Sequence, residues 1–292
     1  MPSLLTAVKS RMNIFAHRLA LGLLDGEYAS VFRGRSLDFD ELRAYVPGDE
    51  VRDIDWKATA RTGVPLVKRY VATRRQQVMF VADTGRNMAA AARGGEVKKD
   101  IAVLAMGVLG SLALNHGDPV GLVHGDRRSA GQLPARGNER HLERLLCRMD
   151  AVDVSDPPSD LTAVLEYTAR HVRGRRLVVV LADEVAVDAR CARVLCRLAA
   201  QHEILWVQLD DAELAGPGAP ARGYDVAGLG PVLTLLAQDP KLADDYAQAV
   251  AQRHRALAAL LQGNGIALVR LGHTSEVVGG IFGLLERHRR AR

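Results

Sequence analysis

The chain is 292 residues long with 48% hydrophobic and 25% charged residues, an ordinary composition for a folded globular protein. That length buries a full core in one large α/β domain or two smaller ones, and it excludes a disulfide-stapled peptide module and a mostly disordered chain. Thirty-nine Lys and Arg against 34 Asp and Glu leave a net charge of +5, which permits anion contact without announcing nucleic acid, while an aromatic share of 4% offers few stacking platforms for a single strand.

The first residues place Leu4, Leu5, Val8, Met12, Phe15, Leu19 and Leu23 at helical spacing, with Lys9, Arg11 and Arg18 between them. This predicts an amphipathic helix within a leading segment 1–29, packed on the domain or lying on a membrane surface, and not a signal peptide. Residues 30–77 are charged and rich in strand and turn signals: a run over 36–46, a Pro47-Gly48-Asp49 turn, and a second run over 65–73. From 78 to 292 the texture changes. Short Val- and Leu-rich runs at 78–82, 119–124, 177–182, 204–209 and 266–271 alternate with helical patterns at 97–115, 139–149, 161–172, 189–201, 241–262 and 275–289. Such alternation predicts an α/β doubly wound, mostly parallel sheet covered on both faces, preceded by a small β-rich segment.

The longest apolar run, 101–114, is too short for a bilayer span of ~20 residues. It reads as a core helix with Ile101, Leu104, Val108 and Leu112 on one stripe. Three cysteines, Cys147, Cys191 and Cys196, form no C-x-x-C pair and read as free thiols in a reducing compartment. A cytoplasmic protein is expected, with peripheral membrane contact as the variant. Residues 215–231 are Gly- and Pro-rich and predict a loop. The arginines at 287, 289, 290 and 292 end a helix whose dipole they suit.

In an open α/β sheet, ligands bind beyond the carboxyl ends of strands where the winding reverses. Asp83 follows the first apolar strand and Asp183 the third. If those strands are adjacent, the two carboxylates face one crevice and call for a cation, a shared proton or an arginine.

Three stretches carry a family resemblance: Arg33-Gly34-Arg35-Ser36-Leu37-Asp38-Phe39, then Tyr45 through Trp56 (YVPGDEVRDIDW), then Ala60-Arg61. Together they resemble the signature of the domain-of-unknown-function 58 family, in which a von Willebrand factor A-like fold follows. The resemblance implies a metal-ion-dependent adhesion site, D-x-S-x-S on the first turn, with a Thr and an Asp from later loops. Here Asp83 holds the first position, but Gly85 and Asn87 replace both serines; Ser159 falls at the Thr and Asp183 at the later Asp. The site is therefore degenerate, with Asp83, Asn87, Ser159 and Asp183 as candidate ligands for Mg²⁺, an ion that takes hard oxygen donors. The alternative is that Arg86 or another nearby base neutralises the carboxylates in the metal's place.

Read on its own, the signature sets a turn at Pro47-Gly48, with Asp49 placed to bond backbone amides beyond it. Trp56 reads as a large apolar anchor, and Arg52, Asp53, Asp55, Lys57 and Arg61 alternate in sign. A charged clasp on the main domain is one outcome. The other is a recognition surface made of Arg33, Arg35, Asp49, Arg52, Asp55, Trp56 and Arg61, whose arginines meet an acidic partner.

No phosphate-binding loop, dinucleotide turn, H-E-x-x-H or G-x-S-x-G motif is present. Asp83-Thr84-Gly85 matches a phosphohydrolase opening at one aspartate and lacks the second. His116, His124 and His141 lack ligand spacing. The chain therefore reads as non-catalytic. The resemblance implies an adaptor or scaffold that partners a MoxR-type AAA+ ATPase and a client protein in assembly or maturation. A metal-dependent hydrolase and a nucleic-acid binder using Arg74, Arg75, Arg127, Arg128 and the C-terminal arginines are the alternatives.

Overall fold

The charged stretch and the Val- and Leu-rich stretches fold as separate units, residues 32–76 and residues 1–31 with 77–292. The computed structural model describes residues 3–15, 24–26, 28, 35–73, 76–184, 188–214, 224–228, 230–231 and 239–290. Leu19, Leu23, Arg18, Arg33, Arg74, Arg75 and Arg292, all named above, lie outside the described residues.

The chain opens with α1 (Leu4–Phe15), then β1 (Arg35–Ala44), α2 (Trp56–Thr62) and β2 (Leu66–Thr73). There follow β3 (Val78–Asp83), α3 (Lys98–Asn115), β4 (Val120–Gly125), β5 (Ala130–Arg136), α4 (Glu139–Asp150) and α5 (Leu161–His171). The rest comprises β6 (Leu177–Ala182), α6 (Ala189–Gln201), β7 (Glu203–Leu209), the short β8 (Tyr224–Asp225) and β9 (Gly230–Pro231), α7 (Pro240–Gly263), β10 (Ala267–Leu271) and α8 (Val277–Arg290).

Six strands make the main sheet in the order β10-β7-β6-β3-β4-β5. Every pairing is parallel except β4 with β5. The chain starts in the middle at β3, winds outward through β4 and β5, and returns to β6 on the other side, so the winding reverses between β3 and β6. This is the doubly wound, mostly parallel sheet that the alternation of strands and helices predicts. All six residues of β3 and of β6 are buried, because helices cover both faces and leave no side for polar residues. The sequence pattern missed β5. Its AGQLPAR run is half exposed on an edge, so it needs no apolar alternation to hold its place.

The apolar stripe expected on α3 is corrected by its surroundings. Ile101 to Ala113 are buried all round, since the helix lies between the sheet and α1, α4 and α8; a helix wrapped on every side has no polar face to keep. No helix of the described residues is long and apolar enough to cross a membrane. The three cysteines are free, Cys191 buried and Cys147 and Cys196 exposed.

The described part of the leading segment ends its helix at Phe15 and groups with the large unit. Leu5, Val8 and Met12 are buried against α3 and α4. Its free N-terminal amides are satisfied from outside the helix: Glu143 on α4 accepts from Leu4 N at 2.9 Å, Leu5 N at 2.7 Å and Ser3 Oγ at 2.9 Å. This carboxylate does the work of a capping residue, and it also opposes the positive end of the helix dipole. Glu143→Ala is expected to cost about 1–2 kcal/mol and to raise hydrogen exchange in α1 before any other helix. Equal protection of α1 in the variant and the parent would refute the capping role.

Candidate functional site at the strand ends

Parallel register brings the carboxyl ends of β3, β6 and β7 side by side. Ala82 pairs with Leu181, and Ala182 with Gln208, so Asp83, Asp183 and the Asp210-Asp211 pair leave three adjacent strands at one edge. Asp83 is 2% exposed, and Asp183 and Asp210 are buried with it. Adjacent strand ends thus crowd acidic groups into a region poor in water, an arrangement that stands only if each charge is answered.

Asp83 is answered by its own turn. Gly85 N–H donates to its Oδ1 at 2.8 Å. Burial still pushes the carboxyl up to about 6, with the Gly85 amide and the Ser159 hydroxyl pulling the other way and Asp183 adding to the rise. The loops above it are stitched by backbone bonds: Thr84 N to Gly125 O at 2.8 Å, Arg86 N to Pro157 O at 2.9 Å and Arg127 N to Pro158 O at 2.9 Å. This stitching explains the glycine that replaces the first serine. A Cβ on Gly85 would lie 2.5 Å from both Cα and N of Ser159, so the two loops have closed to a distance only a bare backbone permits.

Asp183 is answered by Lys98. This lysine opens α3 and is 1% exposed; its Nζ donates to Asp183 Oδ1 at 2.6 Å and also to Asp211 Oδ1. Burial alone would strip its proton, but Asp183 and Asp211 outweigh that and raise its pKa, so the ammonium is charged. Asp210 is answered by Arg270 Nε at 2.8 Å and Arg93 Nε at 3.5 Å. Beyond these lies a cavity of about 280 Å³ between the ends of β6 and β7 and the face of α7, with Tyr246, Val250 and His254 on the helix side. His254 Nε2 meets Glu184 Oε1 there at 2.7 Å.

The four candidate ligands are therefore divided. Asp83, Asn87 and Ser159 share the closed loops, where Asn87 Oδ1 is buried without a hydrogen-bond partner and the Ser159 hydroxyl faces the Asp83 carboxyl. Asp183 is held by Lys98. The donor set fits a divalent ion poorly: one carboxyl, two neutral oxygens and no oxygen at position 85, with the second carboxylate already bonded to an ammonium. Among the described residues, no group of three or more His, Cys, Asp or Glu could hold a metal ion. Of the bases expected to neutralise the site, Arg86 sends Nη2 to Ala227 O at 2.7 Å, while another nearby base, Lys98, meets Asp183. Lys98, Asp210 and Asp211 went unseen in the sequence. The signal available was a second Asp immediately after an apolar strand, and a lysine at the first turn of the most apolar helix.

In the 32–76 unit, β1 and β2 form an antiparallel ribbon. Asp49 does not bond amides beyond the turn, as expected from sequence; it accepts from Val46 N at 2.9 Å, behind it, and from Arg43 Nη2 at 2.6 Å, because the tight turn folds its side chain back. Asp55 caps α2, accepting from Lys57 N and Ala58 N. Arg52 pairs with Glu50 at the surface. Trp56 is 64% exposed and starts α2 on the solvent side. Arg61 is exposed on the same helix, and Arg35 opens β1. Ten basic and seven acidic residues give this unit +3 of the chain's +5.

The ribbon shows one more regularity. Tyr45 N donates to Pro65 O, which extends the ladder and sets Val46 opposite Val64, on the face that also carries Leu42, Ala44 and Leu66. Leu42, Val46 and Val64 are exposed, as are Val51 and Trp56. Most of the exposed large apolar side chains among the described residues belong to this small unit.

Comparison with known proteins agrees with the family resemblance. An uncharacterized protein of Mycobacterium tuberculosis is 29% identical over 275 residues, 92% of this chain and 85% of its own length, and one of Mycobacterium bovis is equally similar. Among solved structures, an aerotolerance-related membrane protein from Bacteroides fragilis is 14% identical, with 72% of this chain and 98% of that one covered and a TM-score of 0.42. A von Willebrand factor type A protein from Catenulispora acidiphila is 10% identical over 73% of this chain and 43% of that one, with a TM-score of 0.38. The profile of the protein family of unknown function DUF58 matches residues 41–256, from β1 to α7, and the chain belongs to that family.

Proposed function

We propose that this chain is a non-catalytic adaptor that joins a MoxR-type AAA+ ATPase to a client protein during assembly or maturation. The observation that carries the reading is the surface of the 32–76 unit, where exposed Trp56, Val46, Val51 and Val64 accompany Lys57 and Arg61. Aspartates of the same segment are engaged within it, Asp49 by Arg43 and Asp55 by the start of α2, so the exposed cations Lys57 and Arg61, one helical turn apart, give the surface its sign. An exposed tryptophan beside aliphatics and basic residues is the composition of a binding hot spot for an apolar, acidic partner.

The test is capture of the full chain by the AAA+ ATPase of its own cell, immobilised as bait. Trp56→Ala combined with Arg61→Glu is expected to weaken capture by about 30-fold, the size of a lost hot spot, with circular dichroism unchanged. Capture equal to that of the parent chain removes this surface from the mechanism, and no capture of the parent removes the ATPase as partner.

A further inference from the structure

We infer that Lys98 is the resident cation of the strand-end crevice, supplying from the chain itself the positive charge that a divalent ion supplies in a metal-ion-dependent adhesion site. The inference stands apart from the adaptor reading and concerns how the crevice is held together.

Four features support it. The ammonium of Lys98 is 1% exposed and sits between Asp183, at 2.6 Å, and Asp211, so both carboxylates at that side have their cation. Lys98 is the first residue of α3, whose N-terminal amides add positive potential at the same spot. The crevice is closed on its other side, where Ser159 leaves no room for a Cβ on Gly85; the position that would carry a ligand hydroxyl cannot accept one. Finally, the donors that remain, Asp83, the unpartnered Asn87 Oδ1 and the Ser159 hydroxyl that faces Asp83, amount to one acid and two neutral oxygens, short of what an octahedral Mg²⁺ draws from a protein that must also admit it. The usual chemistry of the fold is thereby rearranged: the chain carries a covalently tethered cation that chelators cannot remove.

Electron paramagnetic resonance of the full chain with MnCl₂ reads this directly. The parent is expected to leave the free Mn²⁺ signal unchanged, and its Tm is expected to be the same in EDTA and in millimolar MgCl₂. Lys98→Ala is expected to lower Tm in EDTA by about 10 °C and, with Asp183 and Asp211 freed, to recover part of that loss with Mn²⁺. Saturable Mn²⁺ uptake by the parent that disappears in Asp83→Ala would overturn the inference, as would a Lys98→Ala variant as stable as the parent in EDTA. Should Lys98→Ala not fold, the parent's Mn²⁺ titration and Lys98→Arg decide: the arginine variant is expected to fold and to ignore Mn²⁺, and a fold that requires Mn²⁺ overturns it.

Discussion

Lys98→Met is expected to destabilise the chain by about 3–5 kcal/mol near pH 8, since removing one partner strands a buried charge, and by much less near pH 5. Methionine matches the volume of the lysine stem, so the loss is electrostatic and not a cavity. Without the ammonium, Asp183 faces burial and Asp211 alone, and both already push its pKa upward against Lys98. A carboxyl whose folded pKa lies above its unfolded value binds more protons when folded. Stability therefore falls as pH rises through that window, and the deficit of the variant grows in the same direction. The parent behaves otherwise at this position. The raised pKa of Lys98 keeps its contribution whole below the ordinary lysine value, and it fades only in alkali. Urea unfolding of both proteins at the two pH values measures the difference. An equal deficit at both would show that Lys98 acts through packing alone.

How much of this was legible in the sequence depends on what each residue answers to. The strands β3 and β6 were legible because burial on both faces forces unbroken Val and Leu runs, and the amphipathic helices α4, α5 and α6 were legible by their period, whereas α3, buried all round, and the short α2 were not legible by that means. The edge strand β5 was not, since none of its residues is fully buried and nothing constrains them to alternate. Asp83 and Asp183 could be named in advance because strand ends at a reversal of winding are where side chains converge. Their partner could not. Lys98 lies 15 residues from Asp83 and 85 from Asp183 in the chain, and only the seating of α3 against β7 and β3 brings its ammonium to Asp183. Trp56 was legible as a large apolar side chain among charged neighbours, and the geometry of α2 shows that it faces out. Local chemistry was readable; the pairing of distant charges was not.

Asp83→Asn is expected to stabilise the chain at neutral pH, by about 1–3 kcal/mol from the displacement of its pKa. Burial holds this carboxyl near 6 against a reference of 3.8, so the folded state resists its ionisation while the unfolded chain does not. Between those values the folded state binds more protons, and stability falls as pH rises from about 4 to about 6. Asparagine carries no charge to resist. It keeps an oxygen for the Gly85 amide, the one backbone bond that Asp83 accepts at 2.8 Å, and its nitrogen can donate to the hydroxyl oxygen of Ser159, which faces the Asp83 carboxyl. The variant should therefore match the parent near pH 4 and exceed it near pH 7, with a flatter profile between, read by denaturant unfolding across that range. The sign of the effect separates two roles for the residue. A carboxylate retained to bind a metal loses stability on conversion to the amide whenever the metal is present, whereas one buried with no cation of its own gains. A fall in stability at pH 7 that deepens on adding Mg²⁺ would assign Asp83 to a metal, against the tethered cation of Lys98.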